Sequence, residues 1–111
     1  MVRRAESRST FVKRIDEYNS AQAAISHSRI KLDQCRLLKQ QAAHLLDTVS
    51  KKATRKQISM IKVAVARMFQ NIADRCIQLY GALSVTRDTP AARAFGKARA
   101  FRIYDGPDEV H

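Results

Sequence analysis

Glycine occurs only three times in this 111-residue chain and proline only twice, at Pro90 and Pro107. An all-β domain needs such residues at its many turns, so their scarcity leaves long uninterrupted stretches for helix and predicts an all-α fold. Cysteine is equally sparse. Cys35 and Cys76 have no metal-ligand spacing with His27, His44 or His111, and both read as small core residues of a protein in a reducing, intracellular compartment. No apolar run approaches the roughly 18 residues that a membrane-spanning helix requires. Acidic residues are few as well: ten Asp and Glu stand against 21 Lys and Arg, a formal net charge of +11. That imbalance raises nucleic acid, acidic lipid or a phosphorylated cofactor as partners. The positive charge is spread thinly, however. Its densest run, Lys51, Lys52, Arg55 and Lys56, has no interleaved aromatics and no groove-reading or zinc-binding pattern. A solvated basic face is expected there rather than specific nucleic-acid binding. The N-terminus, with Arg3, Arg4, Ser7, Arg8 and Ser9, has some of the composition of a transit signal, but Glu6 interrupts it and no cleavable apolar core follows. Nucleophile-base pairs, Gly-rich phosphate loops and metal constellations are missing too.

What the chain does have is helical periodicity. From Lys56 to Tyr80 the apolar residues Ile58, Ile61, Val65, Met68, Ile72, Cys76 and Leu79 recur at steps of three and four, the signature of one helix face. A second row, Ala64, Phe69, Ala73 and Ile77, widens the apolar sector beyond a coiled-coil seam, so this helix should be central and touch more than one neighbour. Met60, Met68 and Phe69 are expected in the core. Gly81 can end the helix in a left-handed conformation. An earlier stretch, Ala21 to Val49, carries Ile25, Leu32, Cys35, Leu38, Ala42, Leu45 and Val49 at the same spacing, with Asn19 and Ser20 as candidate N-caps. His44 sits beside that stripe and reads as a packed helix histidine. The cluster Thr48 to Thr54 supplies a turn, after which the central helix runs back antiparallel.

Residues 3 to 11 suit the tail of a helix that breaks near Phe11. After a loop from Ala82 to Thr89, Pro90 suits the first turn of another helix, capped by Asp88 or Thr89 and ending near Tyr104. Asp105, Gly106, Pro107, Asp108 and Glu109 then look like a turn into a new helix start, with carboxylates placed against the positive end of its dipole. With so few residues left to form that helix, Asp105 to His111 are expected to be poorly held.

The stretch Ala98-Arg99-Ala100-Phe101-Arg102-Ile103-Tyr104-Asp105-Gly106-Pro107-Asp108-Glu109-Val110-His111 resembles the C-terminal signature of acyl-CoA dehydrogenases, an arginine-containing helix ending in Ile-Tyr-Glu-Gly-Thr and then Ser-Glu-Ile. The Asp-Gly-Pro-Asp-Glu-Val-His form resembles the branch fused to a kinase-like aminoglycoside-phosphotransferase domain. Further matches fall in family order: Ser7-Arg8-Ser9-Thr10-Phe11, Gln34-Cys35-Arg36-Leu37-Leu38, Ala42 to Val49, Met60-Ile61-Lys62-Val63-Ala64 and Asp74-Arg75-Cys76-Ile77-Gln78. The resemblance covers nearly the whole chain. It implies the family's C-terminal antiparallel helical bundle as a single domain over residues 1–111, incomplete at its C-terminal end. Members of the family are longer, with an N-terminal helical domain and a middle β-domain. A truncated gene model, a degenerate paralogue and a fragment are all open readings of the shorter chain.

In the family, the Glu of Tyr-Glu-Gly removes the α-proton of a fatty acyl-CoA while hydride passes to FAD. Asp105 stands at that position, one methylene shorter. By spacing alone it reads as a cap of the turn at Gly106-Pro107; the resemblance makes it the base of an intact enzyme. Gln78-Leu79-Tyr80-Gly81-Ala82-Leu83-Ser84 stands where the family has Gln-x-x-Gly-Gly-x-Gly, whose Gln and glycine backbone contact the FAD of a neighbouring subunit. Gln78 and Gly81 fit, while Ala82 and Ser84 replace glycines, at a cost wherever positive φ is required. Arg8 and Phe11 match an Arg and a Phe that approach the dinucleotide's phosphates and adenine, although Val12 stands where the family has Gly. The resemblance therefore implies FAD as cofactor, acyl-CoA as substrate, a homo-oligomer packed through the bundle, and a mitochondrial, peroxisomal or cytoplasmic setting. The isolated chain is expected to be inactive. The alternative from another class is a basic helical binding or oligomerisation module without catalysis.

Overall fold

The computed structural model describes residues 1–111. A short helix α1 (Val2–Ser7) leads into a hairpin of β1 (Ser9–Thr10) and β2 (Lys13–Arg14), then a 3₁₀ turn (Ile15–Glu17). Two long helices follow, α2 (Asn19–Thr48) and α3 (Lys51–Tyr80), then a second 3₁₀ turn (Gly81–Val85), α4 (Ala91–Ala100) and a closing 3₁₀ turn (Asp108–Val110). The all-α expectation holds, the antiparallel pairing of Ser9 with Arg14 and Thr10 with Lys13 being the one small exception.

Each long helix has 30 residues, about 45 Å at the α-helical rise. Only Val49 and Ser50 separate them, so they run antiparallel and set the long axis of a molecule measuring 56 × 24 × 20 Å. The broad turn expected over Thr48 to Thr54 is shorter because Ser50 caps α3. Its backbone is extended, and its Oγ accepts a hydrogen bond from the Ala53 N–H at 3.3 Å. Thr54, fully buried, donates its hydroxyl to the Ser50 carbonyl at 2.7 Å. Lys51 to Arg55 are therefore helical. At the other end, α2 begins at Asn19 with Tyr18 as the cap residue, and neither Asn19 nor Ser20 serves as N-cap. The expected cap of α4 also differs: Thr86 donates to Asp88 Oδ2 at 3.1 Å, and Pro90 takes the capping position.

The helix faces follow the periodicity except at the ends of the stripes, where Val49 and Ile58 are exposed, and the deepest positions belong to small residues. On α2 these are Ser28, Cys35 and Ala42; on α3 Ala66 and Ala73; on α4 Ala91 and Ala98. Their seven-residue steps form a close seam where backbones approach, and the larger side chains flank it half-covered. Of the residues expected in the core, Met60 is 44% exposed. Met68 and Phe69 are half-buried, and His44 lies on the exposed side of α2.

α4 crosses α3. Phe101 at its end packs on Phe69 with ring centroids 5.8 Å apart, and on Tyr104 at 5.1 Å. The Lys62 ammonium donates to the carbonyls of Phe101 and of Tyr104, the latter at 2.8 Å, satisfying acceptors that the end of a helix leaves without donors. Beyond Tyr104 the chain does not end free, contrary to expectation. Asp108 is buried, its N–H donates to the Arg102 carbonyl at 3.2 Å, and its carboxylate takes two arginines. The holding force is a pair of ionic contacts, one from Arg102 six residues back and one from Arg67 on α3, 41 residues back, not the helix that the local pattern promised.

Candidate functional site

The helix α1 stops at Ser7 because Arg8 turns extended, at φ −124° and ψ 129°. The chain then doubles back through the hairpin, whose two-residue turn is Phe11-Val12. Phe11 takes φ 60°, a conformation usually left to glycine, at the first central position of the turn. Its ring is fully exposed. The hairpin is tied down by Tyr18, whose hydroxyl donates to the Thr10 carbonyl at 2.9 Å, while the Lys13 ammonium lies 4.5 Å from the centroid of the same ring. Arg14 grips Asp16 with contacts of 2.6 and 3.0 Å, and the hydrogen bond and charge of Asp16 push the guanidinium's pKa above its ordinary value.

This hairpin faces the C-terminal end of α3. There Gly81 adopts φ 68° and ψ −151°, a region essentially closed to residues with a Cβ; the positive φ agrees with the left-handed end expected for the helix, but ψ departs from the left-handed helical value. Ala82 and Ser84 do not have positive φ, so the cost expected for their Cβ atoms does not arise. Ser84 is instead wholly buried, its hydroxyl 2.6 Å from the Gly81 carbonyl and 2.9 Å from that of Ile77. Its hydroxyl adds to the Gly81 N–H that already meets the Ile77 carbonyl.

Between hairpin and helix end lies a cleft of about 710 Å³. Arg8, Phe11, Gln78 and Gly81 all line it, so the four residues assigned to cofactor contact from two separate motifs meet in one place. Arg8 makes no ion pair, Gln78 is exposed, and a Cβ built on Gly81 would meet nothing within 4 Å. A free guanidinium, an exposed aromatic face, a carboxamide and an unobstructed backbone are the donor set that phosphates and a purine call for. The residues present thus fit the nucleotide end of FAD.

Three further lining residues were not picked out from the sequence as contacts: Arg75, Tyr18 and Tyr80. Arg75 precedes Gln78 by three, which places both on one face of α3, and this spacing was the available signal. Tyr80 carries the Arg4 guanidinium 5.4 Å from its ring centroid, which fastens α1 to α3.

Asp105 is not part of this cleft. It follows Tyr104, whose carbonyl is bonded to Lys62, and Lys62 lies about 24 Å before Gln78 along α3 at the α-helical rise. Asp105 has φ 54° and is exposed, and its carbonyl lies 3.1 Å from His111 Nε2. Three residues on, the Asp108 carboxylate is held below the usual carboxylate range, chiefly by the hydrogen bond from Arg102 and then by Arg67. The remaining perturbed groups are incidental to either site. Asp33 is lowered chiefly by its hydrogen bond from Arg29 on the exposed face of α2. Burial raises the Cys35 thiol, which keeps it protonated and inert, as a core cysteine should be. No grouping of His, Cys, Asp and Glu suits a metal ion, and no helix is long and apolar enough to cross a membrane.

A helical bundle with a cationic, aromatic-edged cleft at one end of its central helix and a carboxylate turn toward the other is the class of domain to which these features belong. The sequence model of the acyl-CoA dehydrogenase C-terminal domain matches residues 1–111, and the chain belongs to that family. It is 44% identical to the probable acyl-CoA dehydrogenase FadE2 of Mycobacterium tuberculosis, over all of this chain and 27% of that protein. It is also 44% identical to acyl-CoA dehydrogenase family member 10 of Mus musculus, over all of this chain and 10% of that protein. The structure of a Mycobacterium abscessus protein assigned as an acyl-CoA dehydrogenase superposes with TM-score 0.95 at 41% identity, over 99% of this chain and 27% of that one. The FAD complex of PigA superposes with TM-score 0.90 at 22% identity, over 98% of this chain and 28% of that one, a likeness of fold. The chain thus spans about a quarter or less of the length of these relatives.

Proposed function

We propose that this chain supplies two contributions to the FAD-dependent α,β-dehydrogenation of a fatty acyl-CoA. The first is a cleft for the nucleotide end of FAD, with Arg8 toward the pyrophosphate, Phe11 against the adenine, and Gln78 and the Gly81 backbone as hydrogen-bonding and close-approach positions. The second is Asp105 as the carboxylate that takes the α-proton. When bound, FAD supplies the acceptor for the hydride that leaves the β-carbon. The cleft lies at the C-terminal end of α3, whereas Asp105 sits in the loop after α4 that Lys62 ties down about 24 Å back along α3; in this reading they serve different FAD molecules, the cleft receiving the cofactor of a neighbouring copy. That division accords with what the resemblance implies, an FAD that lies across a subunit interface.

The observation that carries this reading is the convergence of Arg8, Phe11, Gln78 and Gly81 on one cleft. The same geometry argues that the 111 residues alone do not turn over substrate. A general base works within hydrogen-bond reach of the proton it takes, in a water-excluding site that raises its pKa toward the operating pH. Exposed Asp105 has no such enclosure within this chain.

Titration of the chain with FAD and with ADP, followed by flavin fluorescence and calorimetry, tests the proposal. Saturable binding is expected, weakened about tenfold or more by Arg8→Ala or Gln78→Ala, since a charge-assisted contact is worth about 1.5–3 kcal/mol, and unaffected by Asp105→Asn. Absence of saturable binding, or indifference to both cleft substitutions, would overturn it. Enoyl-CoA formation by the chain alone would overturn the inactivity. A second reading, a basic module that associates through its surface, draws on the exposed Leu37, Ile58, Met60 and Val85. Salt-sensitive micromolar affinity for nucleic acid with none for FAD would favour it.

A further inference from the structure

Asp108 is the one carboxylate of the chain taken out of solvent, its side chain 3% exposed. Oδ2 receives Arg102 Nε at 2.8 Å and Arg67 Nε at 3.1 Å, while Oδ1 is buried without a partner. Arg102 also donates from Nη1 to Gln70 Oε1 at 3.0 Å, which anchors it to α3. Arg67 and Arg102 are the charges facing the carboxylate, one from α3 and one from the turn after α4. The Asp108 N–H closes back on the Arg102 carbonyl, so the six-residue step from Arg102 to Asp108 is pinned at both ends by backbone and side chain together. Asp105 lies inside that loop with φ 54°. Such a φ costs a residue with a Cβ some free energy, less for Asp than for most, and it is held where the surroundings favour it.

We propose that Asp108 is a positioning residue for Asp105: its two-arginine clamp closes the loop that imposes the left-handed backbone on Asp105 and so fixes where that carboxylate points. Lys62 sets the start of the same loop through the Phe101 and Tyr104 carbonyls, and His111 folds over it, so close that a Cβ on Gly106 would lie 2.6 Å from His111 Nε2. The catalytic meaning of the clamp rests on Asp105 being the base; its geometric effect does not. The two are therefore separable by experiment. The clamp is specific in chemistry as well as shape. An amide in place of the carboxylate keeps the size of the side chain but gives up the charge that Arg67 and Arg102 answer.

The test is NMR on the 111-residue chain and its Asp108→Asn, Asp108→Glu and Arg67→Gln variants, with circular dichroism as the check of helix content. In the parent chain Asp105 should show the amide–α-proton coupling and carbon shifts of positive φ, with cross-peaks between the His111 ring and the Gly106 α-protons. Asp108→Asn should lose both signatures and speed exchange of the residue-108 amide proton about tenfold or more, while the Phe69–Phe101 ring contacts and the helical signal persist. Asp108→Glu should recover part of the His111–Gly106 contact by restoring the charge. Arg67→Gln, which removes only the more exposed arginine and so leaves the fold least disturbed, should weaken both signatures without abolishing them. A lower melting temperature in Asp108→Asn with both signatures intact in the folded population would overturn the proposal, since that is what a merely stabilising ion pair predicts. Loss of the signatures in Asp108→Asn with no change in Arg67→Gln and no recovery in Asp108→Glu would also overturn it. Failure of the chain to bind FAD would leave these outcomes untouched.

Discussion

Phe11 and Asp105 are the two non-glycine residues with positive φ, and both stand at positions that the family resemblance assigns to the site. Strain of this kind costs on the order of 1–3 kcal/mol and persists where a fold has a use for it. Phe11 makes the exchange visible, because its ring is fully exposed and returns no burial energy for its backbone. Phe11→Gly relieves a strained φ worth about 1–2 kcal/mol but adds disorder to the unfolded chain worth about 0.5–1 kcal/mol in the opposite sense. Stability in urea should therefore move little, while affinity for FAD or ADP falls through loss of the aromatic face; calorimetry and denaturation on the same variant check both. Gly81 presents the converse case. Space for a Cβ is open, yet φ 68° with ψ −151° excludes one. Gly81→Ala should cost about 1–3 kcal/mol from backbone strain alone, read as a shift in the denaturation midpoint with its slope unchanged.

At the scale of elements, apolar periodicity placed α2 and α3 correctly because a 30-residue amphipathic pattern has no other regular solution. It failed where structure depends on single contacts. The hairpin was invisible because two-residue strands have no period and Phe11-Val12 is not a recognisable hairpin turn. Depth of burial went to Ala66, Ala73 and Ala98 because small residues permit the closest helix approach, whereas the larger residues announced the face and not its deepest line. Motif order delivered four cleft residues, but Asp108 read locally as a carboxylate at a helix start. Its partner Arg67 lies 41 residues away, beyond any local pattern. Two predictions belong here. Ser84→Ala should cost about 1–2 kcal/mol, because the wholly buried hydroxyl answers the Ile77 and Gly81 carbonyls that end α3. The clamp should also make stability pH-dependent. A carboxylate whose pKa is lowered by folding contributes stability that is present above its unfolded pKa and lost as pH falls through its folded value. The depressed Asp108 should therefore give a loss of stability on acidification that Asp108→Asn removes. Asp33, with a side chain 43% exposed beside an Arg29 that is 69% exposed, should add little, because solvent screens the pair. Urea midpoints measured from neutral pH into the acid range for the chain, Asp108→Asn and Asp33→Asn decide between the two.

For the whole molecule, the decisive quantity is how little is covered. Buried residues number 11 of 111, and most are small, while an elongated body of 56 × 24 × 20 Å spreads its half-covered apolar faces over a large surface. Apolar patches beyond several hundred Å² on such a surface favour association, so dimers or larger species are expected at micromolar concentration. The net charge of +11 acts in the opposite sense. Two copies repel through a field that reaches roughly 30 Å at 0.01 M salt but about 8 Å at 0.15 M. Added salt removes that repulsion and leaves apolar contact undiminished, so association should tighten as ionic strength rises. Contacts made by opposite charges would weaken instead, which makes the sign of the salt response informative. Sedimentation at several protein concentrations, between 0.01 and 0.5 M salt, measures it. A monomer at all salt concentrations would show that the exposed faces of α2 and α3 do not drive assembly, and a dimer that dissociates on adding salt would assign the contact to charge.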